Sequence, residues 1–172
     1  MTVSEPVARR PLTANDQRLA PWRAFLSAHT LVTRRLDEEL RAEHDLSLAE
    51  YETLLAIAWA PDRRIRMRNL ADSILLSKSG VTRLIDRLVA DGLVERSACL
   101  ADARGAEAVL TEAGLERLRA ASRTHLRGID AHFLAPLGAD DLPVIERAMR
   151  SVADRAERET DACDSVPGAR DR

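Results

Sequence analysis

The chain has 172 residues and a net charge of −2, with 45% hydrophobic but only 3% aromatic residues. It is long enough to bury a real core, and Leu, Ile, Val and Ala must build it. Abundant Ala, Leu, Arg and Glu with few Gly and Pro predict a mainly helical protein, no 18-residue apolar run offers a transmembrane helix, and the polar, Arg-containing start lacks the apolar segment of a secretory signal. Cys99 and Cys163 stand far apart in no metal-ligand spacing. A cytoplasmic protein with reduced thiols is expected, without membrane association.

Residues 1–16 contain Pro6 and Pro11 and show no periodicity, which predicts a disordered arm. Over 21–44, Trp22, Phe25, Leu26, His29, Val32, Leu36 and Leu40 recur at spacings of three and four. That is the stripe of an amphipathic helix. Asp45-Leu-Ser47 ends it, and Ser47 with Glu50 forms a capping box for a helix over 48–60. This helix buries Tyr51, Leu54, Leu55 and Ala58, and can bury Trp59. Pro61-Asp62 breaks it, and Ile65-Arg66 suits a short strand.

A short helix over 67–74, a turn through Leu75-Leu-Ser77 and a second helix over 78–91 follow, closed by Gly92. Residues 93–98 and 106–110 read as two antiparallel strands around a loop containing Gly105. Together these make a helix-turn-helix with a wing. Thr111 caps a long helix whose stripe runs through Leu115, Leu118, Ala121, Ser122, Leu126, Ile129 and Phe133 to Leu134. Pro136-Leu-Gly138 ends it. A last helix from Asp140 carries Leu142, Ile145, Met149, Val152 and Ala156, and the chain is expected to fray from 161. The domain reading is an arm at 1–16, a dimerisation helix at 17–45, a winged helix-turn-helix at 46–110, C-terminal dimerisation helices at 111–160 and a tail at 161–172. Outer helices with broad apolar faces predict a homodimer. Its two-fold axis would match a pseudo-palindromic double-stranded DNA operator.

Charge is unevenly placed. Between Asp62 and Arg104 stand nine basic and six acidic residues, so this segment carries +3 and the remainder −5. A basic lobe on an acidic body suits a protein that touches DNA with one face. In the second helix of the motif, Val81, Leu84, Ile85, Leu88 and Val89 form the anchoring face. The opposite face presents Lys78, Ser79, Thr82, Arg83, Asp86 and Arg87, with Ser77 at the cap. Lys78 is the sole lysine and stands at the helix start. Small hydroxyl residues there allow close approach to phosphates and base edges. Arg83 can bond a guanine twice, and Arg87 is placed for phosphate. At the wing tip, Arg104 suits the narrow, negative minor groove, with Asp102 as a guanidinium partner. Arg96, at the strand end, is a further phosphate candidate. Each of these has a plainer reading as a solvated helix face or a polar turn.

Leu70-Ala-Asp, the run Ser77-Lys-Ser-Gly-Val-Thr-Arg-Leu-Ile-Asp-Arg-Leu88, Gly92-Leu-Val-Glu-Arg96, Asp102-Ala-Arg104 and Val109-Leu-Thr-Glu-Ala-Gly114 resemble the MarR family of bacterial winged helix-turn-helix regulators. The resemblance is clear from Leu46 to about Leu118. It implies an obligate homodimer joined by N- and C-terminal helices. It further implies a repressor of its own or neighbouring genes, released by a small ligand that is often a phenolic or other aromatic acid. Trp22, His29, Trp59, Arg63 and Arg66 could wall such a pocket and pair a carboxylate, although core packing explains both tryptophans as well. The first helix lacks the reactive Cys of the family's oxidation sensors. Cys99 is either an incidental thiol or one activated by Arg96 and Arg104.

Two other function classes compete with a DNA-binding regulator. An enzyme is not expected, because no metalloprotease helix motif, phosphate loop or nucleophile elbow occurs. His125 and His132 lie seven apart, and a metal site would need two more ligands. No cofactor is expected. The remaining alternative is a winged module that docks a protein without operator-specific DNA binding.

Overall fold

The computed structural model describes residues 11–73, 78–98 and 106–164, with side chains for all but 71–73, 78, 79, 98 and 159–164. In chain order the elements are α1 (Ala20–His44), α2 (Leu48–Trp59), β1 (Arg64–Arg66), α3 (Met67–Ser73), α4 (Lys78–Ala90), β2 (Val94–Ala98), β3 (Ala106–Leu110), α5 (Glu112–Ile129) and α6 (Asp141–Asp164). The chain divides into two compact units, the first ending at His125 and the second beginning at Leu126.

In the first unit, local chemistry sets the helix ends. Asp16 accepts from the Arg18 amide and opens a short 3-10 turn before α1. Asp45, in the left-handed region, closes α1 with its amide on Arg41. The α2 capping box is complete. Ser47 Oγ takes the Glu50 amide at 3.2 Å, and Glu50 Oε2 takes the Ser47 amide at 2.8 Å. Asp37 bridges α1 to α2 by accepting from Leu48 N at 2.8 Å and Arg41 Nε at 2.7 Å. Burial raises its carboxyl and these bonds outweigh that, leaving it below the ordinary value.

The sheet has the order β1-β3-β2 and is antiparallel throughout. Arg64 faces Val109 and Arg66 faces Glu107 across β1 and β3, so the short strand pairs with the wing as its sequence suggested. The core joins α1, α2, α3, α4, the sheet and α5 through Leu40, Leu54, Ile57, Leu70, Ile85, Leu88, Val94 and Leu118, all buried. It is wider than the 46–110 unit read from the sequence. Leu36 and Leu40 of the first helix and Leu115, Leu118 and Ala121 of α5 are buried in it.

Other differences are local. Trp59 is 80% exposed, Leu55 and Ala58 are only partly buried, and Thr53 and Ile57 join Tyr51 and Leu54 at the buried positions of α2. The α2 stripe is rotated from the expected one because α2 packs against both α1 and the sheet. Val89 lies at the edge of the α4 anchor and is exposed.

In the second unit, α5 passes into a π-helical turn at Asp130–Leu134. Ala135 N donates to Asp130 O at 2.8 Å, a five-residue span that apolar periodicity does not reveal. Asp141 opens α6. Its carboxylate accepts from Gly138 N at 3.2 Å, and its amide donates to Gly138 O at 3.0 Å. α6 continues to Asp164, past the residue 161 at which fraying was expected. No helix among the described residues is long and apolar enough to cross a membrane.

Candidate nucleic-acid interface

α4 is fixed by its own periodicity. Val81, Leu84, Ile85 and Leu88 are buried, and Thr82, Arg83, Asp86 and Arg87 on the other side are exposed. The helix ends in a Schellman arrangement, with Leu93 N bonded to Leu88 O at 2.9 Å and Gly92 N to Val89 O at 3.0 Å. Gly92 supplies the φ of 70° that this stop requires.

The strand that follows is tied to α5. Thr111 Oγ1 donates to Gly92 O at 2.8 Å and accepts from Gly114 N at 2.9 Å, while Thr111 N donates to Leu93 O at 3.1 Å. A Cβ on Gly114 would stand 2.1 Å from Leu93 O. Only glycine lets α5 approach the backbone just past α4 this closely.

Two ion pairs brace the exposed face. Arg87 Nε lies 3.2 Å from Glu50 Oε1, so one carboxylate both caps α2 and holds α4. Arg96 of β2 reaches Asp86 Oδ1 of α4 at 2.7 Å. Arg83 has no carboxylate partner among the described residues. Sequence reasoning found Arg87 and Arg96 as cations but missed their partners. Glu50 was visible only as a cap, and its reach to Arg87 spans two helices distant in sequence.

The other residues singled out from the sequence divide in two. Lys78 and Ser79 lie in the first turn of α4. Ser77, Asp102 and Arg104, and with them the wing tip and Cys99, lie outside the described residues.

Of the pocket candidates, Trp22 and His29 line one face of α1, each against Phe25, at ring separations of 5.9 and 6.0 Å. Trp22 is 55% exposed, so neither tryptophan is a core residue of this chain. Arg63 pairs with Glu112 at 3.2 Å, and Arg66 lies on β1. Among the described residues, no hydrogen bond, ion pair or ring contact joins the α1 pair to Trp59, Arg63 and Arg66.

Behind the interface, α5 meets α1 and α2 through a polar seam. Thr124 Oγ1 donates to Glu43 Oε2 at 2.8 Å and therefore accepts from His44 Nε2, also at 2.8 Å. Tyr51 packs on His125 at 4.4 Å, and His125 Nδ1 is buried without a hydrogen-bond partner among the described residues. Burial pushes His125 below its ordinary value, because it disfavours the charged ring. No group of three or more His, Cys, Asp or Glu among the described residues could hold a metal ion.

A MarR-family model matches residues 44–105. AbsC, a MarR family transcriptional regulator from Streptomyces coelicolor, is 33% identical over 87% of this chain and 99% of its own, with a TM-score of 0.75. The chain belongs to the MarR family of transcriptional regulators. A second regulator of the family from Streptomyces coelicolor, Sco3205, whose structure is in complex with DNA, is 32% identical over 85% of this chain and 90% of its own, with a TM-score of 0.76. A MarR variant from E. coli, complexed with operator DNA, shares the fold at 23% identity, covering 82% of this chain and 99% of its own at a TM-score of 0.71. No curated protein sequence matches the chain. As a MarR-family regulator, it is not an enzyme.

Proposed function

We propose that this regulator is a homodimeric repressor that binds a pseudo-palindromic operator near its own or neighbouring genes and is released by a small effector. The carrying observation is α4, anchored by four buried apolar residues and presenting Thr82, Arg83 and Arg87 outward beside the wing strands. That is the form of a recognition helix. Sco3205 in complex with DNA supports it at the level of a relative.

Dimerisation is supported by apolar residues that each unit leaves exposed. Trp22, Phe25 and Leu26 stand out on α1, and Leu126, Met149 and Val152 in the second unit. Faces of this kind are ordinarily covered by another chain. An aromatic acid is the favoured effector class, with Trp22, His29, Trp59, Arg63 and Arg66 as its candidate contacts.

The test is fluorescence anisotropy with the DNA upstream of the regulator's own gene against scrambled DNA, at two salt concentrations. Sequence-selective binding that weakens with salt supports the reading. Weak or absent binding on both duplexes at low salt overturns it in favour of a protein-docking wing. Sedimentation of the same sample reads the dimer, and phenolic acids added to the complex read release. Arg104→Ala should weaken DNA binding and leave sedimentation unchanged. Full-strength binding by that variant would remove the wing tip from the contact.

A further inference from the structure

Arg83, Arg87 and Arg96 are the three described arginines of the α4 face and the adjoining wing strand. Two of the three are neutralised within the protein, Arg87 by Glu50 and Arg96 by Asp86. The second pair is the more accessible. Asp86 is 58% exposed and Arg96 42%, with Arg96 Nη2 2.7 Å from Asp86 Oδ1. Asp86 also stands among the residues that the DNA reading directs at the groove, where a carboxylate repels phosphate. The buried side of α4 anchors the helix independently of this pair.

We propose that Asp86 restrains non-specific DNA binding by occupying Arg96, so that a phosphate recruits this arginine only by displacing the carboxylate. The proposal rests on the DNA-binding reading above. An exposed pair of this kind biases an equilibrium by up to about fivefold. A phosphate fixed in register by other contacts can displace it, and randomly placed phosphates do so poorly. Glu50 holds Arg87 by the same principle, but it is buried in the α2 capping box, so removing it would disturb the fold as well.

The experiment measures binding of the full chain to a scrambled duplex between about 50 and about 200 mM salt, where each phosphate contact contributes a logarithmic slope near −0.9. Asp86→Asn should free Arg96 and add about one contact per protomer. The affinity loss across that salt range then grows about 3.5-fold for each protomer engaged, or about 12-fold for a dimer with both lobes on the duplex. Arg96→Gln alone should leave the slope unchanged, and Asp86→Asn in the Arg96→Gln background should have no further effect. An equal steepening in both backgrounds would show Asp86 acting by general repulsion and overturn the proposal, as would no steepening in Asp86→Asn. Failure of the parent protein to bind either the scrambled duplex or its own upstream DNA at low salt overturns the DNA reading itself.

Discussion

Gly114 sets two principles against each other. It lies in the first turn of α5, where replacing glycine by alanine in an open helix adds about 1 kcal/mol of stability. The structure demands the opposite sign. An alanine Cβ would stand 2.1 Å from Leu93 O and 2.8 Å from Leu110 Cδ1. The leucine side chain can rotate, but the carbonyl cannot, because it already accepts the Thr111 amide at 3.1 Å. Relief therefore requires α5 to withdraw by about 1 Å, which loosens Leu115 and Leu118 from the core and strains the bond between Thr111 Oγ1 and Gly92 O. Overpacking of this kind costs about 1–3 kcal/mol. With backbone as the obstacle the upper end applies, and after the helical gain Gly114→Ala should be about 2 kcal/mol less stable. Urea unfolding at fixed protein concentration reads this as a lower midpoint with an unchanged slope. Fixed concentration matters because dimerisation adds to apparent stability. A midpoint equal to or above the parent's would refute the close-approach argument and leave helix propensity in control.

Three further outcomes follow from the same geometry. Ser47→Ala removes the acceptor of the Glu50 amide and should cost about 1–2 kcal/mol in the same unfolding assay, and no loss would show the α2 cap to be redundant. Arg83→Ala should relax base choice at one position per half-site by about 1–3 kcal/mol in competition binding, whereas a uniform loss across sequences would make Arg83 a phosphate contact. For His125 the folded state disfavours the proton because burial lowers its pKa, while the unfolded chain titrates near the ordinary 6.5. Its contribution is thus complete above that value and is lost as pH falls below it, levelling off beneath the depressed folded pKa. His125→Phe keeps a ring against Tyr51 and should flatten the stability profile below about pH 6.5, whereas an unchanged profile would assign the acid loss to other groups.

A net charge of −2 is compatible with the proposed DNA contact, because the charge is unevenly placed. Its positive excess lies in the winged segment, where Arg87 is paired with Glu50 and Arg96 with Asp86. If Asp86 restrains Arg96 as proposed, affinity depends on where phosphates fall rather than on total charge, which favours selective over indiscriminate binding.

Local chemistry was legible in the residues because each signal acts within a few positions. The Ser47–Glu50 box, the Gly92 stop, the buried stripe from Val81 to Leu88 and the strand Ala106–Leu110 all came out as the sequence specified. The family, and with it the winged fold, was legible for the same reason, since its motifs are runs of such local signals. Tertiary structure alone decided the rest. Trp59 is apolar and in helical register, yet the packing of α2 leaves it in solvent. Leu115 and Leu118 read as part of an outer helix, but the approach that Gly114 permits draws them into the winged core. The partners of Arg87 and Arg96 stand on other elements, and no periodicity carries a signal across that distance. A sequence sets which face of each element is apolar and where it stops; which faces meet, and which charges are thereby paired, depends on all elements packing at once.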